Sequence, residues 1–496
     1  MSVRATADAE LQVVIGLEVH VQLETDTKIF CGCDTDFADD PPNTHTCPVC
    51  LGLPGALPVV NEAAVRAALK VTKALDGTVP ETTRFHRKNY FYPDLPKNYQ
   101  ITQYEDPICQ QASLEINVDD HRRTIGIERA HLEEDPGRLD HEGGDIARAE
   151  YTLVDYNRAG VPLLEIVTEP DFRSPAETRA FLAKLEEVLE YLGVFDAGRD
   201  GSLRVDANVS LVPREHVGED GAIPGSVLGE ADRIEVKNIS SHRGAEKALA
   251  YEVTRQRNVY RRGGEIAAET RHWDENRGVT VSMRTKEAEE DYRYFREANL
   301  PVLRVADWLP DIEIPELPDA RRARFRQEYG LGAEAAAKVT SSRAVADFYE
   351  AIATRYDPQL AATWVADNLL GELHYRDMTV HDVVDRLGDF ERLIELVVEE
   401  EITVKNAEEI VLREMLDSDA APDEIVAARD LGTASTDVVA TAVEEAIEEN
   451  PEAVADVSAG EDGAINFLVG QVMQKTQGQA DPGTVNEALR ARLDVC

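Results

Sequence analysis

The stretch Asp155-Tyr156-Asn157-Arg158-Ala159-Gly160-Val161-Pro162-Leu163-Leu164-Glu165-Ile166-Val167-Thr168-Glu169-Pro170-Asp171 organises this 496-residue chain. It opens in a polar turn, where Gly160 and Pro162 break any helix. An apolar run follows whose alternation puts Glu165 and Glu169 on one side of an extended strand, with Leu163 and Val167. Two carboxylates and an arginine beside an apolar strand are costly unless they hold a cation or an anionic ligand. A strand end with solvated acids is the plainer explanation of such a pair.

The same alternation recurs on both sides of this stretch. In Val13 to Glu24, Leu17, Val19, Val21 and Leu23 face one way and Glu18, His20 and Gln22 the other. A carboxylate and an imidazole two residues apart on a strand face can share a metal, although a solvated edge strand has the same pattern. Further on, Ser202, Arg204, Asp206 and Asn208 alternate with apolar residues, as do Arg233, Glu235 and Lys237, and then Thr280, Ser282, Arg284 and Lys286. One such strand proves nothing in an antiparallel sheet. Four of them together make a charged sheet face suited to Mg²⁺ and a triphosphate. His131-Leu-Glu133-Glu134-Asp135-Pro-Gly137 follows the strand-like Thr124 to Arg129 and has the composition of a solvated turn. Spacing does not tell which of its three acids points inward.

Cys31-Gly-Cys33 and Cys47-Pro-Val-Cys50, separated by thirteen residues, suit tetrahedral zinc held by four thiolates. With no coordination position left for water, the role of that zinc is structural; reduced structural thiols are the alternative. Cys109 and Cys496 have no partners in the pattern. Asn61 to Leu75 has the signals of a capped helix. Arg87 to Gln100 interleaves four aromatics with cations and prolines, as a loop that stacks a base and contacts phosphates would, or an ordered rim. Ser174-Pro-Ala-Glu177 is a capping box ahead of an amphipathic helix that ends at Gly193.

The composition narrows the setting. Ninety-five acids against 52 basic residues, only 12 of them Lys, give a net charge of −43. Acids have spread over the surface while lysine is avoided, as in a halophilic cytoplasm. Such a charge argues against simple attraction to phosphate or anionic lipid. The start of the chain has no basic and apolar leader pattern, and no apolar run is long enough to cross a membrane, so a cytoplasmic location without membrane association is expected. From Asn299 onward prolines mark a linker, and Ala-, Glu- and Leu-rich helical periodicity runs to the end, with Phe348, Tyr349, Trp364, Leu369 and Leu370 as core.

The motifs Ile15-Gly-Leu-Glu-Val-His20, Lys88-Asn-Tyr-Phe-Tyr-Pro-Asp-Leu-Pro-Lys97, His131-Leu-Glu-Glu-Asp135, Asp155 to Asp171, Gly201-Ser-Leu-Arg-Val-Asp-Ala-Asn-Val-Ser210, Glu235-Val-Lys-Asn238, Met283-Arg-Thr-Lys-Glu287 and Asp291-Tyr-Arg-Tyr-Phe295 resemble those of the B subunits of tRNA-dependent amidotransferases (GatB). The resemblance spans nearly the whole chain. It implies an α+β fold: a mainly antiparallel-sheet catalytic cradle, similar to glutamine synthetase, over 1–299, then a helical domain over 300–401 and a helical tRNA-binding tail over 402–496. It implies ATP-dependent conversion of misacylated Asp-tRNA(Asn) or Glu-tRNA(Gln) to the amide, with ATP, Mg²⁺ and structural Zn²⁺ as cofactors.

By the same resemblance Glu18, His20, Glu133 and Glu165 hold Mg²⁺. Lys88, Asn89, Tyr90, Arg204, Asp206, Lys237, Arg284 and Lys286 surround the nucleotide, and Arg158 faces phosphate beside the catalytic Glu18, Glu133, Glu165 and Lys88. No amidase signature is present, so an amidase subunit (GatA) and a small bridging subunit (GatC) are the expected partners. The family commonly has Lys where Gln477 and Gln479 stand, which puts those tRNA contacts in question. Alternatives are a non-catalytic tRNA scaffold, the glutamate-specific archaeal relative (GatE), or a ligase acting on free amino acids, for which the tail would be purposeless.

Overall fold

A computed structural model describes residues 10–119, 121–142, 149–199, 201–218, 222–230, 233–284, 292–434, 436–458, 462–476 and 478–493. The chain divides into two compact units, Met1–Pro318 and Asp319–Cys496.

The first unit is built on one large sheet. Its strands are β1 (Leu11–Gln22), β2 (His86–Asn89), β3 (Tyr99–Thr102), β4 (Cys109–Val118), β5 (His121–Glu134), β8 (Pro162–Thr168), β9 (Leu203–Pro213), β10 (Ile234–Ile239), β11 (Glu269–Asp274), β12 (Val279–Arg284) and β13 (Phe295–Arg296). A separate hairpin joins β6 (Arg138–His141) to β7 (Thr152–Asp155). The large sheet runs β12-β11-β10-β9-β1-β8-β5-β3-β2-β13, with β4 beside β5; every pairing is antiparallel except β10 with β11. The quoted stretch therefore supplies a central strand. Gly160, at φ +89°, makes the turn into it, and its N–H donates to the Asp135 carbonyl.

Strand parity separates chemistry from packing. Leu17, Val19 and Val21 of β1, Leu164 and Ile166 of β8, and Val205, Ala207 and Val209 of β9 share one buried cluster with α1 (Glu62–Ala74), α2 (Pro175–Tyr191) and α4 (His242–Arg261). Those helices cover the apolar face, and α3 (Gly225–Glu230) is a short connector. Asn61 caps α1 through Oδ1 and the Ala63 N–H. At α2 the Ser174 hydroxyl accepts from the Glu177 N–H, while Glu177 reaches back to the N–H of Arg173 rather than to that of the cap. The other face of the sheet carries the polar residues of β1, β5, β8, β9 and β10; at β12 the expected alternation fails, because buried Thr280 donates to Glu252 of α4 on the packed face while Val281 and Met283 are exposed.

One expectation changes. The acids after His131 are not a solvated turn, because β5 continues through Glu134 and all of His131–Asp135 are buried. Their charges are matched from different sides: Glu134 by Lys97, Asp135 by Arg204, and Glu133 by groups on the polar face. The second unit is helical and has two apolar cores, one spanning Phe325 to Leu431 and one spanning Val439 to Leu489. Phe348, Tyr349, Trp364 and Leu369 are buried in the first of these, with Leu370 partly buried against it. No described helix is long and apolar enough to cross a membrane.

Candidate active site on the polar face of the sheet

Antiparallel register brings the site together from residues far apart in sequence. His20 pairs with Glu165 across β1 and β8, and Glu165 pairs with His131 across β8 and β5. On the other side of β1, Glu18 pairs with Asp206 and His20 with Arg204. Glu235 of β10 sits opposite Asn208 of β9, and Thr102 of β3 opposite Glu133. Residues facing each other in a ladder share a face, so these side chains form one polar band across six strands. Two adjoining cavities of about 510 and 450 Å³ open along it, and His20, Lys88, Glu133, Asp206 and Lys237 line both.

The acids fall into two groups. His20, Glu133 and Glu165 offer ligand atoms that all lie within 4.8 Å of one another, and so, separately, do Glu18, Asp206 and Glu235. Sequence reasoning had put Glu18 with the first group. Here its carboxylate instead accepts from Asn208 at 3.1 Å and lies with Asp206. The second group already holds a cation of its own, the Lys237 ammonium, 2.5 Å from Asp206 and 3.3 Å from Glu235. Burial opposes the Lys237 charge, but Asp206, Glu235 and Glu18 outweigh it and raise its pKa.

Among the described residues, the first group has only imidazoles within ion-pair distance. Glu165 Oε2 lies 3.5 Å from His20 Nε2 and 3.6 Å from His131 Nε2. Burial opposes a charge on His20, yet the hydrogen bond and charge of Glu165, then Glu133 and Asp206, raise it to about 9. Burial, against the charge of Glu165, lowers His131 to about 4. Burial, then the charge of Glu165, pushes Glu133 up to about 7. Burial would raise Glu165 too, but His131 and His20 hold it well below the usual carboxylate range. Among the described residues, Thr102 Oγ1, His131 Nδ1 and Arg204 Nε are buried without a hydrogen-bond partner. A wall with acids, cations and unspent donors fits a polar, charged ligand.

The cations come from both rims. Lys88 lies over the Tyr292 ring at 4.9 Å and near Tyr90 at 5.7 Å, beside a stacked Tyr104–Tyr294 pair. Tyr90 and Arg204 line the smaller cavity. Asp135 anchors Arg204 and also accepts from Gln22 at 2.7 Å. Two expected residues lie off the cavities. Arg158 is spent on the carbonyls of Pro136, at 3.1 Å, and Gly137, at 2.8 Å, with Asp135 at 3.5 Å. Asn89 donates to the Arg293 carbonyl at 2.8 Å and so ties down the aromatic rim. Glu169 lies beyond the end of β8, with Glu128 and Asp171 as its charged neighbours. The backbone of Arg284 ends β12, while its side chain and Lys286 lie outside the described residues.

The sequence places Glu235 on the charged face, and its motifs include His131, Asp135, Tyr292 and Tyr294, but it assigns none of these, nor Tyr104, a role at the site. The parity of the strand Arg233–Lys237 already put Glu235 beside Lys237. For His131 and Asp135 the signal was the uninterrupted polar alternation past Arg129, masked by the Pro-Gly that follows. Tyr292 and Tyr294 lie in the Asp291–Phe295 motif, but their place at the rim, like that of Tyr104, depends on long-range pairing.

Beyond the turn that leads into β8, the four thiols of Cys31, Cys33, Cys47 and Cys50 converge, with Sγ atoms within 4.8 Å of one another and Cys47 and Cys50 3.8 Å apart. Four sulfurs at bonds of roughly 2.3 Å around a tetrahedral metal are separated by about this distance. The Cys31 hydrogen bond, against burial, lowers Cys50 to about 5. Lys28, fully buried, sits 3.9 Å from the Cys50 sulfur and donates to the His45 carbonyl at 2.7 Å. Asn43 and Asn157 bind the cysteine loop to residues 154–157. The donor set and spacing fit a structural metal.

Residues 13–310 match the family model described as the GatB/GatE catalytic domain, and residues 347–493 match the GatB domain model. The chain is 70% identical over 495 residues to the B subunit of the aspartyl/glutamyl-tRNA(Asn/Gln) amidotransferase of Natronomonas pharaonis, with all of both chains covered. Its counterpart in Haloquadratum walsbyi is 67% identical, covering 100% of this chain and 99% of the relative. The one in Methanospirillum hungatei is 53% identical, covering 98% and 99%. With both family models and full-length relatives in agreement, the chain belongs to the GatB family of tRNA amidotransferase B subunits.

Proposed function

We propose that the polar face of the sheet is where the side-chain carboxylate of Asp-tRNA(Asn) or Glu-tRNA(Gln) is activated by ATP and amidated. A carboxylate oxygen attacks the γ-phosphorus of ATP and ADP leaves. Ammonia then attacks the acyl carbon, phosphate leaves, and the nitrogen gives up a proton. Phosphoryl transfer asks the protein for positioning and charge neutralisation more than for covalent chemistry. The observation that carries this reading is the convergence of Lys88, Arg204 and Lys237 with two separate acid groups along one cavity wall.

In this reading Lys88 and Arg204 orient the phosphates, and Asp135 keeps Arg204 aimed at them. Lys237 keeps Glu18, Asp206 and Glu235 charge-balanced, so the His20–Glu133–Glu165 group is the place left for a divalent cation. Bound there, Mg²⁺ would supply charge neutralisation on the transferring phosphoryl group. An imidazole among its ligands admits Mn²⁺ as well. The protein's part is to release the His20 and Glu133 protons on loading and to exclude water, which would hydrolyse the acyl phosphate.

Zinc in the four-thiol cluster would fasten the cysteine loop to the turn before β8. The cradle corresponds to a glutamine-synthetase-like fold, with 1–299, 300–401 and 402–496 as working domains. Ammonia would come from a glutaminase subunit (GatA) held by a small third subunit (GatC).

The test is transamidation in molar KCl with the partner proteins, Mg-ATP, glutamine, and either Asp-tRNA(Asn) or Glu-tRNA(Gln). Amide on one tRNA, lost in Glu165→Gln, supports the proposal and names the substrate. An intact complex that binds tRNA but forms no ATP-dependent amide would make this a scaffold.

A further inference from the structure

We propose that the solvent face of α4 docks the phosphate backbone of an RNA strand. The helix carries Arg243, Lys247, Arg255, Arg257 and Arg261 against only Glu246 and Glu252, in a chain of net charge −43. Both acids are already used: Glu252 is buried and holds Arg255, and Glu246 pairs with Arg179. Arg243, Lys247, Arg257 and Arg261 remain. All four are exposed, and none has an ion pair among the described residues. Their spacing of four, ten and four residues keeps them on one side of the helix, over about 27 Å of its length.

Many of this protein's other cations are paired internally, although Arg296 and Arg326 are exposed without an ion pair among the described residues. In the second unit Lys338 pairs with Asp367, Lys405 with Glu409, Lys475 with Glu445 and Glu449, and Arg492 with Glu444. Gln479 is spent on the Asp430 carbonyl, and Gln477 lies outside the described residues. Against such a background, four unpaired cations in a row are an exposed donor array. Their exposed neighbours on the helix are Ala250, Thr254 and Asn258. A protein partner would need a large apolar or aromatic anchor at the centre of the patch, and none is there. Phosphates need only donors, and a guanidinium meets them bidentately at short range. Such contacts outlast the loss of long-range attraction in molar salt, where the screening length falls to roughly 3 Å.

The inward side of α4, with Ala245, Ala248 and Leu249, packs on the apolar face of the sheet. The stripe therefore lies across the sheet from the two cavities, and the strand it holds belongs to a part of the RNA away from the reacting end. The choice of tRNA as probe rests on the proposed function. Binding is read without ATP or glutamine, so a protein that bound tRNA through α4 yet formed no amide would overturn that function and leave this surface standing.

The experiment compares the assembled complex carrying R243Q/K247Q, R257Q/R261Q or all four changes with wild type, by fluorescence anisotropy of labelled tRNA between 0.3 and 2 M KCl. These ionic strengths are chosen by us as roughly bracketing the range in which counterion release is measurable. The quadruple variant should weaken binding at least ~10-fold at the low-salt end and flatten the dependence of log Kd on log [KCl] by about 3, each double variant doing about half. Melting curves identical to wild type would confirm that these solvent-facing changes leave the fold intact. Unchanged Kd and slope would overturn the proposal. So would intact tRNA binding with failed assembly of the complex, which would assign the stripe to an acidic protein partner.

Discussion

Replacing Asp135 by asparagine keeps the shape of the side chain and removes its charge. The carboxylate is fully buried, accepts from Gln22 and Arg204, and has Arg158 at 3.5 Å. In Asp135→Asn the Arg204 bond loses its charge assistance, and two guanidiniums face each other with no anion between them. Breaking a buried pair costs roughly 3–5 kcal/mol. The lower end applies here, about 3 kcal/mol, since the outer part of Arg204 reaches the cavity and Arg158 keeps two carbonyl partners. Because the carboxylate is buried, the loss should persist in molar KCl, unlike that of a surface pair such as Lys405–Glu409.

The assay is urea unfolding in 0.5 and 3 M KCl (salt levels we choose as roughly 6-fold apart for a screening contrast), with ATP binding measured alongside. A loss below about 1 kcal/mol at both salts, with ATP affinity unchanged, would refute the view that Asp135 holds Arg204 in place.

Three further outcomes can be checked directly. Glu252→Ala leaves Arg255, Gln256 and Thr280 without their shared carboxylate and should cost about 3–5 kcal/mol, read by thermal unfolding; a loss within ~0.5 kcal/mol would mean that water replaces it. Burial, then Glu186, Asp196 and Glu187, raises Glu190 from 4.5 to about 6. Its contribution is therefore whole below pH 4.5 and lost as pH rises through 6. Glu190→Gln should stabilise by a few tenths of a kcal/mol at about pH 8 and by nothing at about pH 4, and an equal effect at both would count against the assignment. Chelation or Cys47→Ser should release zinc, detected by a colorimetric chelator, and open the 34–46 loop to protease while the melting of the second unit stays unchanged; protection equal to wild type would show that the loop stands without metal.

Much of the site was legible in strand parity. Glu18, His20, Arg204, Asp206 and Lys237 alternate with apolar residues that pack under α1, α2 and α4, and burial of one face forces the polar set onto the other. The cysteine spacing announced the thiol cluster for the same local reason. Less legible was anything set by which strands neighbour one another. Arg158 reads as a phosphate ligand in sequence, but a turn packed against residues 135–137 consumes its donors. Glu133, Glu134 and Asp135 look alike in a row, and only their neighbours on β8, β9 and the segment leading into β3 give each a different partner.

The sequence by itself determined the alternating strands, the capped helices, the metal-type cysteines and, through its motifs, the family. These follow from local periodicity and residue chemistry, which act over a few positions. The tertiary structure alone decided that Glu18 lies with Asp206 and Glu235 rather than with His20, Glu133 and Glu165. It also decided that Lys237 fills that second group and that His131 joins the first. Those outcomes depend on strand order and register, fixed by burying the apolar faces of distant segments together, and no window along the chain contains that information.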